Sequence, residues 1–182
     1  MATIGIDIDG TVADFNTIAN YYATVFDPEL VNIKYETYDL AERYGWPKEK
    51  ADEFFNLYAL TIFSSSRPFF AASFFINQLG LKHNIKFITA RNKKYEGITK
   101  LWLKNWNFNY DTLIMDEHEK HKYDLDIIVE DNFETLKKAD QVGMQTLCYH
   151  QPYNAHYRGL RAYSWPDAFN CIIGKFKKGV LV

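Results

Sequence analysis

The chain has 182 residues, with 21 lysines and arginines against 23 aspartates and glutamates, and a formal net charge of −2. This near balance lacks the basic surplus of proteins that bind nucleic acid polymers or anionic membranes. No run approaches the roughly 18 consecutive apolar residues of a membrane span. The two cysteines have no CxxC spacing, and no basic stretch followed by an apolar one stands at the amino terminus. We therefore expect a cytoplasmic protein with reduced thiols.

Short apolar runs alternate with segments of helical periodicity. The predicted strands cover residues 3–8, 85–89, 112–115, 126–130 and 145–149. The helices predicted between them cover residues 95–106 and 133–142. This alternation indicates right-handed crossovers and a parallel sheet covered on both faces. We therefore predict an α/β fold with a doubly wound, Rossmann-like parallel sheet.

The segment between the first two predicted strands is too long for a single connection. Its helical stretches are predicted over residues 17–26, 47–63 and 68–79. Pro47 and Pro68 would each stand in a first helical turn, where proline is best tolerated. About 60 residues is too many for a structureless loop inside a compact domain. We predict a small helical cap over residues 15–75, inserted after the first strand, and a core formed by residues 1–14 and 76–182.

The strongest chemical signal is Asp7-Ile8-Asp9-Gly10-Thr11, at the end of the first predicted strand. Open parallel sheets bind ligands beyond the carboxyl ends of their strands. Two carboxylates at that place repel each other and are not readily buried without a cation. Mg²⁺ suits them because it binds carboxylates together with phosphate oxygens. Gly10 would let the backbone approach a phosphate closely, so the motif predicts a magnesium–phosphate site.

Three further segments at predicted strand ends agree with this interpretation. Thr89-Ala90-Arg91 offers a hydroxyl and backbone N–H groups after the second strand. A charged loop follows the third strand and offers Lys120 and Lys122, and the fourth strand ends in Glu130 and Asp131. A helix cap or a solvated loop would explain some of these features singly, but adjacent acids beyond a parallel strand again favour a cation.

This ordered set resembles the haloacid dehalogenase (HAD) superfamily of phosphatases, over about residues 3–150. Residues 7–11 are similar to its first motif, Thr89 to its second, and Lys120 or Lys122 to its third. Glu130-Asp131 is similar to its fourth motif. Residues 9–15 are also similar to the 5′(3′)-deoxyribonucleotidases, which carry a helical cap at this insertion point.

The resemblance leaves two assignments open. The short interval between Lys120 and the fourth motif is similar to the deoxyribonucleotidase branch and favours Lys120 over Lys122. That motif reads Glu130-Asp131 where the nucleotidases usually have two aspartates, so either acid could bind the metal, with Asp131 favoured. The role of Arg91 in the second motif is open.

The resemblance implies a Mg²⁺-dependent phosphomonoesterase. Asp7 would attack phosphorus and form an aspartyl-phosphate, while Asp9 would protonate the leaving oxygen and later activate water. The implied metal ligands are Asp7, the carbonyl of Asp9, and Asp131. The implied phosphate ligands are Gly10, Thr89, Ala90 and Lys120.

The implied substrate is a nucleoside monophosphate, and two alternatives stay open. One is a HAD phosphatase of sugar phosphates or other small metabolites. The other is a non-catalytic phosphate-binding domain, although Asp7, Asp9 and Asp131 are all present. The cap is rich in aromatic residues, of which we expect most to pack its helices and one or two to stack on a nucleobase.

Overall fold

The computed structural model describes residues 1–116 and 119–177. Glu117 and His118 of the charged loop, and the end of the predicted core at residues 178–182, lie outside the described residues. All strand pairings in its six-stranded sheet are parallel, in the order β3-β2-β1-β4-β5-β6. The strands are β1 (Thr3–Ile6), β2 (Asn84–Thr89), β3 (Thr112–Met115), β4 (Ile127–Glu130), β5 (Gln145–Tyr149) and β6 (Arg161–Ala162).

Seven α-helices connect or follow these strands in the described residues. They are α1 (Phe15–Phe26), α2 (Leu40–Tyr44), α3 (Lys48–Ser65), α4 (Ala72–Gly80), α5 (Glu96–Asn105), α6 (Phe133–Gln141) and α7 (Trp165–Lys177). None of the described helices is both long and apolar enough to cross a membrane.

The sheet has an apolar layer on each face because alternate residues of a strand point in opposite directions. On one face, Ile127 and Val129 of β4 pack in a cluster with residues of α4, α5 and α7. On the other face, Ile128 packs with Ala139 of α6. The predicted doubly wound α/β fold is confirmed.

Helices α1, α2 and α3 form the insertion after β1 and have a core of their own. Its centre is Phe54, which is fully buried among the rings of Phe26, Tyr44 and Trp46. Aromatic packing of this kind gives a small helical unit apolar contact area that its few aliphatic residues could not supply.

The connection back to the core differs from the sequence prediction. Pro68 lies in an isolated antiparallel bridge with Ala13, not in the first turn of a helix. Helix α4 begins at Ala72, after Ala71 adopts a left-handed conformation with φ 59°. Ala72 packs in the same cluster as the sheet, so α4 lies with the core, and the division of the chain at residue 75 stays a prediction. No bounds were predicted for α2, β6 or α7.

Candidate active site

The segments that carry the predicted site residues meet at one edge of the sheet. Asp7 follows β1, and its N–H donates to the carbonyl of Val129 in β4 at 3.0 Å. Thr89 ends β2, Lys120 begins a 3₁₀ turn between β3 and β4, and Asp131 follows β4. Since the strands are parallel, their carboxyl ends necessarily share this edge.

Lys120 is a buried cation that contacts two carboxylates of the site. Its Nζ lies 2.5 Å from Oδ1 of Asp7 and 2.8 Å from Oε2 of Glu130. The other oxygen of Glu130 accepts the backbone N–H groups of Asp131, at 3.1 Å, and Asn132, at 3.0 Å. Glu130 therefore holds Lys120 beside Asp7.

Asp131 is bound on both carboxylate oxygens. Thr11 donates its hydroxyl to Oδ1 at 2.8 Å, and the Tyr153 hydroxyl donates to Oδ2. Gly10 lies against both groups with φ +86°, and a Cβ there would stand 2.5 Å from Oδ2 of Asp131 and 2.7 Å from the Tyr153 hydroxyl oxygen. The close approach of Asp131 therefore requires a glycine at this position. The sequence had led us to expect a glycine here for another reason, the close approach of a phosphate.

Three buried carboxylates could share a metal ion. Oxygen atoms of Asp7, Glu130 and Asp131 all lie within 4.8 Å of one another. Burial and the neighbouring Glu130 raise the pKa of Asp7 to about 7, although Lys120 lowers it. Burial, Glu130 and Asp7 raise the pKa of Asp131 well above its ordinary value. Among the described residues, Lys120 is the only buried cation that contacts this cluster. When all three carboxylates are ionised, the cluster therefore has an excess of two negative charges.

Burial alone would lower the pKa of Lys120, but Asp7 and Glu130 raise it well above its ordinary value. Lys120 is therefore a permanent cation at neutral pH. Lys122, the alternative considered from the sequence, is exposed and pairs with Glu119. Lys120 is thus the lysine that the fold brings to the site.

Asp9 is held by Arg91. Nε and NH2 of Arg91 donate to the two carboxylate oxygens of Asp9, at 2.7 and 2.6 Å. The guanidinium is buried, donates through NH1 to Thr99 at 3.2 Å, and lies 4.1 Å from the ring centroid of Phe63 in α3. This contact gives Arg91, whose role the sequence left open, a place beside Asp9.

Thr89 and Ala90 line the same space. The Thr89 hydroxyl oxygen accepts the N–H of Arg91 at 3.2 Å. This contact does not use the hydroxyl hydrogen of Thr89, which can be donated to another group. Thr89 is buried and Ala90 is exposed. The pair thus offers a hydroxyl and a backbone N–H beyond the end of β2.

A cavity of about 580 Å³ separates this edge from the cap. The core lines it with Asp7, Asp9, Thr89, Ala90, Arg91 and Tyr153. The cap contributes four aromatic residues, Phe15, Tyr38, Phe55 and Phe63. It also contributes the ionisable residues Asp39, Glu42, Lys48 and Asp52. The cavity therefore has carboxylates on both sides, with hydrogen-bonding groups of the core on one side and aromatic rings of the cap on the other.

Tyr153 joins the cluster of three acids to the cap and was not among the predicted site residues. Its ring contacts that of Tyr38 at a centroid distance of 5.4 Å and lies 5.5 Å from the guanidinium carbon of Arg43. Its hydroxyl accepts from Asn16 at 3.4 Å, and Asn16 accepts from Arg43 at 2.5 Å. Its position just beyond the strand predicted over residues 145–149 is the sequence signal that could have identified it.

Burial raises the pKa of Tyr153 well above its ordinary value, and the Asp131 carboxylate adds to the shift. Burial of the hydroxyl, together with Asp131 and Asp7, also raises the pKa of Tyr38. Both phenols therefore stay protonated at neutral pH, and the Tyr153 hydroxyl donates to Asp131.

A family model described as "5′ nucleotidase, deoxy (Pyrimidine), cytosolic type C protein" matches residues 1–177. A nucleotidase from Clostridium acetobutylicum is 25% identical over 183 residues, which cover 96% of this chain and 95% of the relative. A protein of Chlorobaculum tepidum, provisionally assigned as a 5′(3′)-deoxyribonucleotidase, is 27% identical over 180 residues and 93% of this chain. That alignment covers 89% of the relative.

Solved structures share the architecture. A haloacid dehalogenase-like hydrolase from Streptococcus pneumoniae superposes with a TM-score of 0.72 at 14% identity, covering 94% of this chain and 98% of that one. A provisionally assigned HAD hydrolase of Bacillus subtilis, solved with bound magnesium, gives a TM-score of 0.64 at 11% identity, with 94% and 98% coverage. At these identities the likeness shows the fold.

Proposed function

Because the chain belongs to the family of cytosolic type C deoxy (pyrimidine) 5′-nucleotidases, and is thus a phosphoric monoester hydrolase of the HAD superfamily, we propose that it hydrolyses nucleoside monophosphates in a Mg²⁺-dependent reaction. The observation that carries the proposal is Asp7, a buried carboxylate bonded to Lys120 at the edge of a cavity. The family description also supports a cytoplasmic location.

Asp7 is the nucleophile. One of its carboxylate oxygens attacks phosphorus in line, the ester P–O bond breaks, and an aspartyl-phosphate forms. The electron pair of the broken bond goes to the leaving oxygen, which takes a proton from Asp9 to become an alcohol. Water then attacks phosphorus, its proton passes to Asp9, and cleavage of the bond to Asp7 restores the carboxylate and releases phosphate.

The donor set fits a hard divalent cation. Asp7 and Asp131 are buried carboxylates, the uncompensated charge of the cluster equals that of one such ion, and oxygen ligands are those Mg²⁺ prefers. We assign Asp7, Asp131 and the backbone carbonyl of Asp9 as its ligands, with Glu130 committed to Lys120. Bound there, Mg²⁺ supplies charge neutralisation between the nucleophile and the phosphate.

The phosphate is bound by groups around Asp7. The Thr89 hydroxyl, the Ala90 N–H and the Lys120 ammonium donate to its oxygens, on which negative charge is distributed during transfer. Lys120 keeps its charge throughout because two carboxylates flank it. Gly10 has no Cβ and therefore allows Asp131 to lie close to the backbone at the site. We also propose that the backbone of Gly10 contacts the phosphate.

The cavity supports a nucleoside as the leaving group. Its volume of about 580 Å³ lies within the range of small-molecule sites. Phe15 and Phe55 offer apolar faces to a base, and stacking on one such ring contributes about 1–3 kcal/mol. On the cap side Asp39, Glu42 and Asp52 outnumber Lys48, which disfavours a substrate with a second phosphate. We therefore expect monophosphates to be preferred over diphosphates.

A substrate panel tests the proposal. Purified protein with Mg²⁺ is assayed for phosphate release from 5′- and 3′-nucleoside monophosphates, deoxy forms, nucleoside diphosphates, sugar phosphates and 4-nitrophenyl phosphate. We expect the highest kcat/KM among nucleoside monophosphates and no turnover with EDTA. A clear preference for sugar phosphates would establish the alternative phosphatase, and absence of hydrolysis of every ester would establish the non-catalytic alternative.

Asp7→Asn tests the nucleophile, since an amide forms no acyl phosphate and turnover should be abolished. Asp14→Asn is the matched control: Asp14 caps α1 by accepting the N–H of Thr17 at 3.2 Å, and asparagine caps helices equally well. The control should keep normal activity. Near-normal turnover by Asp7→Asn would refute the assignment.

A further inference from the structure

Arg91 has the geometry of an orienting group. Its two nitrogens bind both carboxylate oxygens of Asp9 side-on, at 2.6 and 2.7 Å, which fixes the plane of the carboxylate and not only its position. A carboxylate offers about four lone-pair positions. Arg91 occupies one on each oxygen, so one on each oxygen stays available to a leaving group or to water.

Arg91 is itself rigidly placed. Its backbone N–H donates to the Thr89 hydroxyl oxygen at 3.2 Å, which fixes the start of the side chain at the end of β2. NH1 donates to Thr99, whose hydroxyl donates in turn to the Tyr95 carbonyl at 2.9 Å. The guanidinium also packs over the ring of Phe63, 4.1 Å from its centroid, in a desolvated cation–π contact. Only 4% of Arg91 is exposed.

We propose that Arg91 is a positioning residue that aligns the carboxyl group of Asp9 for proton transfer to the leaving oxygen. The inference rests on the proposed function, because it assumes that Asp9 exchanges a proton with the substrate. Lysine could keep the charge beside Asp9 but not the two parallel bonds, since its ammonium is a point donor. The side chain of Phe63 belongs to α3 of the cap, so the cap takes part in holding this alignment.

The first experiment compares Arg91→Lys with the wild-type enzyme on two esters. The ratio kcat/KM reports the steps up to departure of the leaving group. A nucleoside leaves as a strongly basic alkoxide unless it is protonated, whereas 4-nitrophenolate leaves without a proton. We expect kcat/KM to fall about 10- to 100-fold for a nucleoside monophosphate, as misplacement of a catalytic group does, and to stay within about twofold for 4-nitrophenyl phosphate.

Arg158→Lys is the matched control. Because Arg158 is exposed, this substitution should leave kcat/KM unchanged for both esters. Thermal melting of each variant with Mg²⁺ verifies folding. An equal fall on the two esters would overturn the proposal, since it would mean that Arg91 binds phosphate or supports the whole site. Absence of hydrolysis by the wild-type enzyme would instead refute the proposed function.

A double-mutant cycle with Asp9→Asn gives a second, independent test. If Arg91 acts through the Asp9 carboxylate, Arg91→Lys should change the residual kcat/KM of the Asp9→Asn enzyme by less than about twofold. A further tenfold loss in that background would show that Arg91 acts on the substrate by another route and would overturn the proposal.

Discussion

Lys120 lies 2.8 Å from Glu130, the last residue of β4, in a fully buried ion pair. Glu130 uses its second oxygen for two backbone N–H groups, whereas each oxygen of Asp131 accepts a single hydroxyl. The two adjacent acids therefore have different tasks. Glu130 positions the lysine, and Asp131 keeps lone pairs for a cation.

The first prediction separates these tasks. Asp131→Asn should raise the Mg²⁺ concentration for half-maximal activity by at least about tenfold, because an amide is a poor ligand for a hard cation. Glu130→Gln should lower kcat about tenfold through misplacement of Lys120, with little change in the Mg²⁺ requirement. Mg²⁺ titrations of phosphate release and calorimetric binding measure both effects. Equal increases in the Mg²⁺ requirement would contradict the division.

A second prediction concerns Gly10, where a Cβ would approach Asp131 Oδ2 to 2.5 Å at a φ of +86°. Gly10→Ala should be destabilising by about 1 kcal/mol from backbone strain and by about 1–3 kcal/mol more from overpacking. It should also weaken Mg²⁺ binding by displacing Asp131. Urea unfolding and calorimetry measure the two effects.

Gly45 provides the matched control for that substitution. It also has a positive φ, +66°, but nothing lies within 4 Å of its missing Cβ. Gly45→Ala should therefore show the strain of about 1 kcal/mol alone and normal Mg²⁺ binding. If Gly10→Ala and Gly45→Ala lost the same amount of stability and both bound Mg²⁺ normally, Gly10 would be required only for the backbone conformation of its turn.

The convergence of Asp7, Thr89, Lys120 and Asp131 was predictable because it follows from topology. Parallel strands with right-handed crossovers bring their carboxyl ends to one edge, so residues just after predicted strands must be neighbours. The periodicity of the chain was enough to locate four of those ends. The same argument gives no distances, and it does not distinguish Glu130 from Asp131.

The partners of these residues were not predictable in the same way. Arg91 and Asp9 are 82 positions apart, and Asn16 and Tyr153 are 137 apart. Such pairs depend on side-chain rotamers and on how the cap packs against the core, which neither strand alternation nor helical periodicity determines. Strand β6 has only two residues, too few for a recognisable alternation.

A third prediction concerns Tyr153, whose hydroxyl donates to Asp131. Tyr153→Phe should weaken Mg²⁺ binding about 10-fold, as loss of a group that orients a metal ligand does. Tyr157→Phe is the control, because Tyr157 is equally buried and donates to Asp140 at 2.9 Å, outside the acid cluster. Both variants should lose about 1 kcal/mol of stability. Unchanged Mg²⁺ affinity in Tyr153→Phe would remove that residue from the site.

A fourth prediction uses the pH dependence of Mg²⁺ binding. The folded protein holds protons on Asp7 and Asp131 more tightly than the unfolded chain does, since burial raises the pKa of Asp7 to about 7 and that of Asp131 well above its ordinary value. Without metal, their contribution to stability is present at low pH and is lost as pH rises through these values.

Mg²⁺ must displace those protons, so its binding should strengthen over the same pH window. We expect the rise in melting temperature on adding Mg²⁺ to be clearly larger at about pH 7.5 than at about pH 5. Subtracting the melting temperature without Mg²⁺ from that with Mg²⁺ at the same pH removes the contribution of titrating groups remote from the site. Asp131→Asn should abolish most of the rise at both pH values, and a rise that did not depend on pH would show that the ion binds away from Asp7 and Asp131.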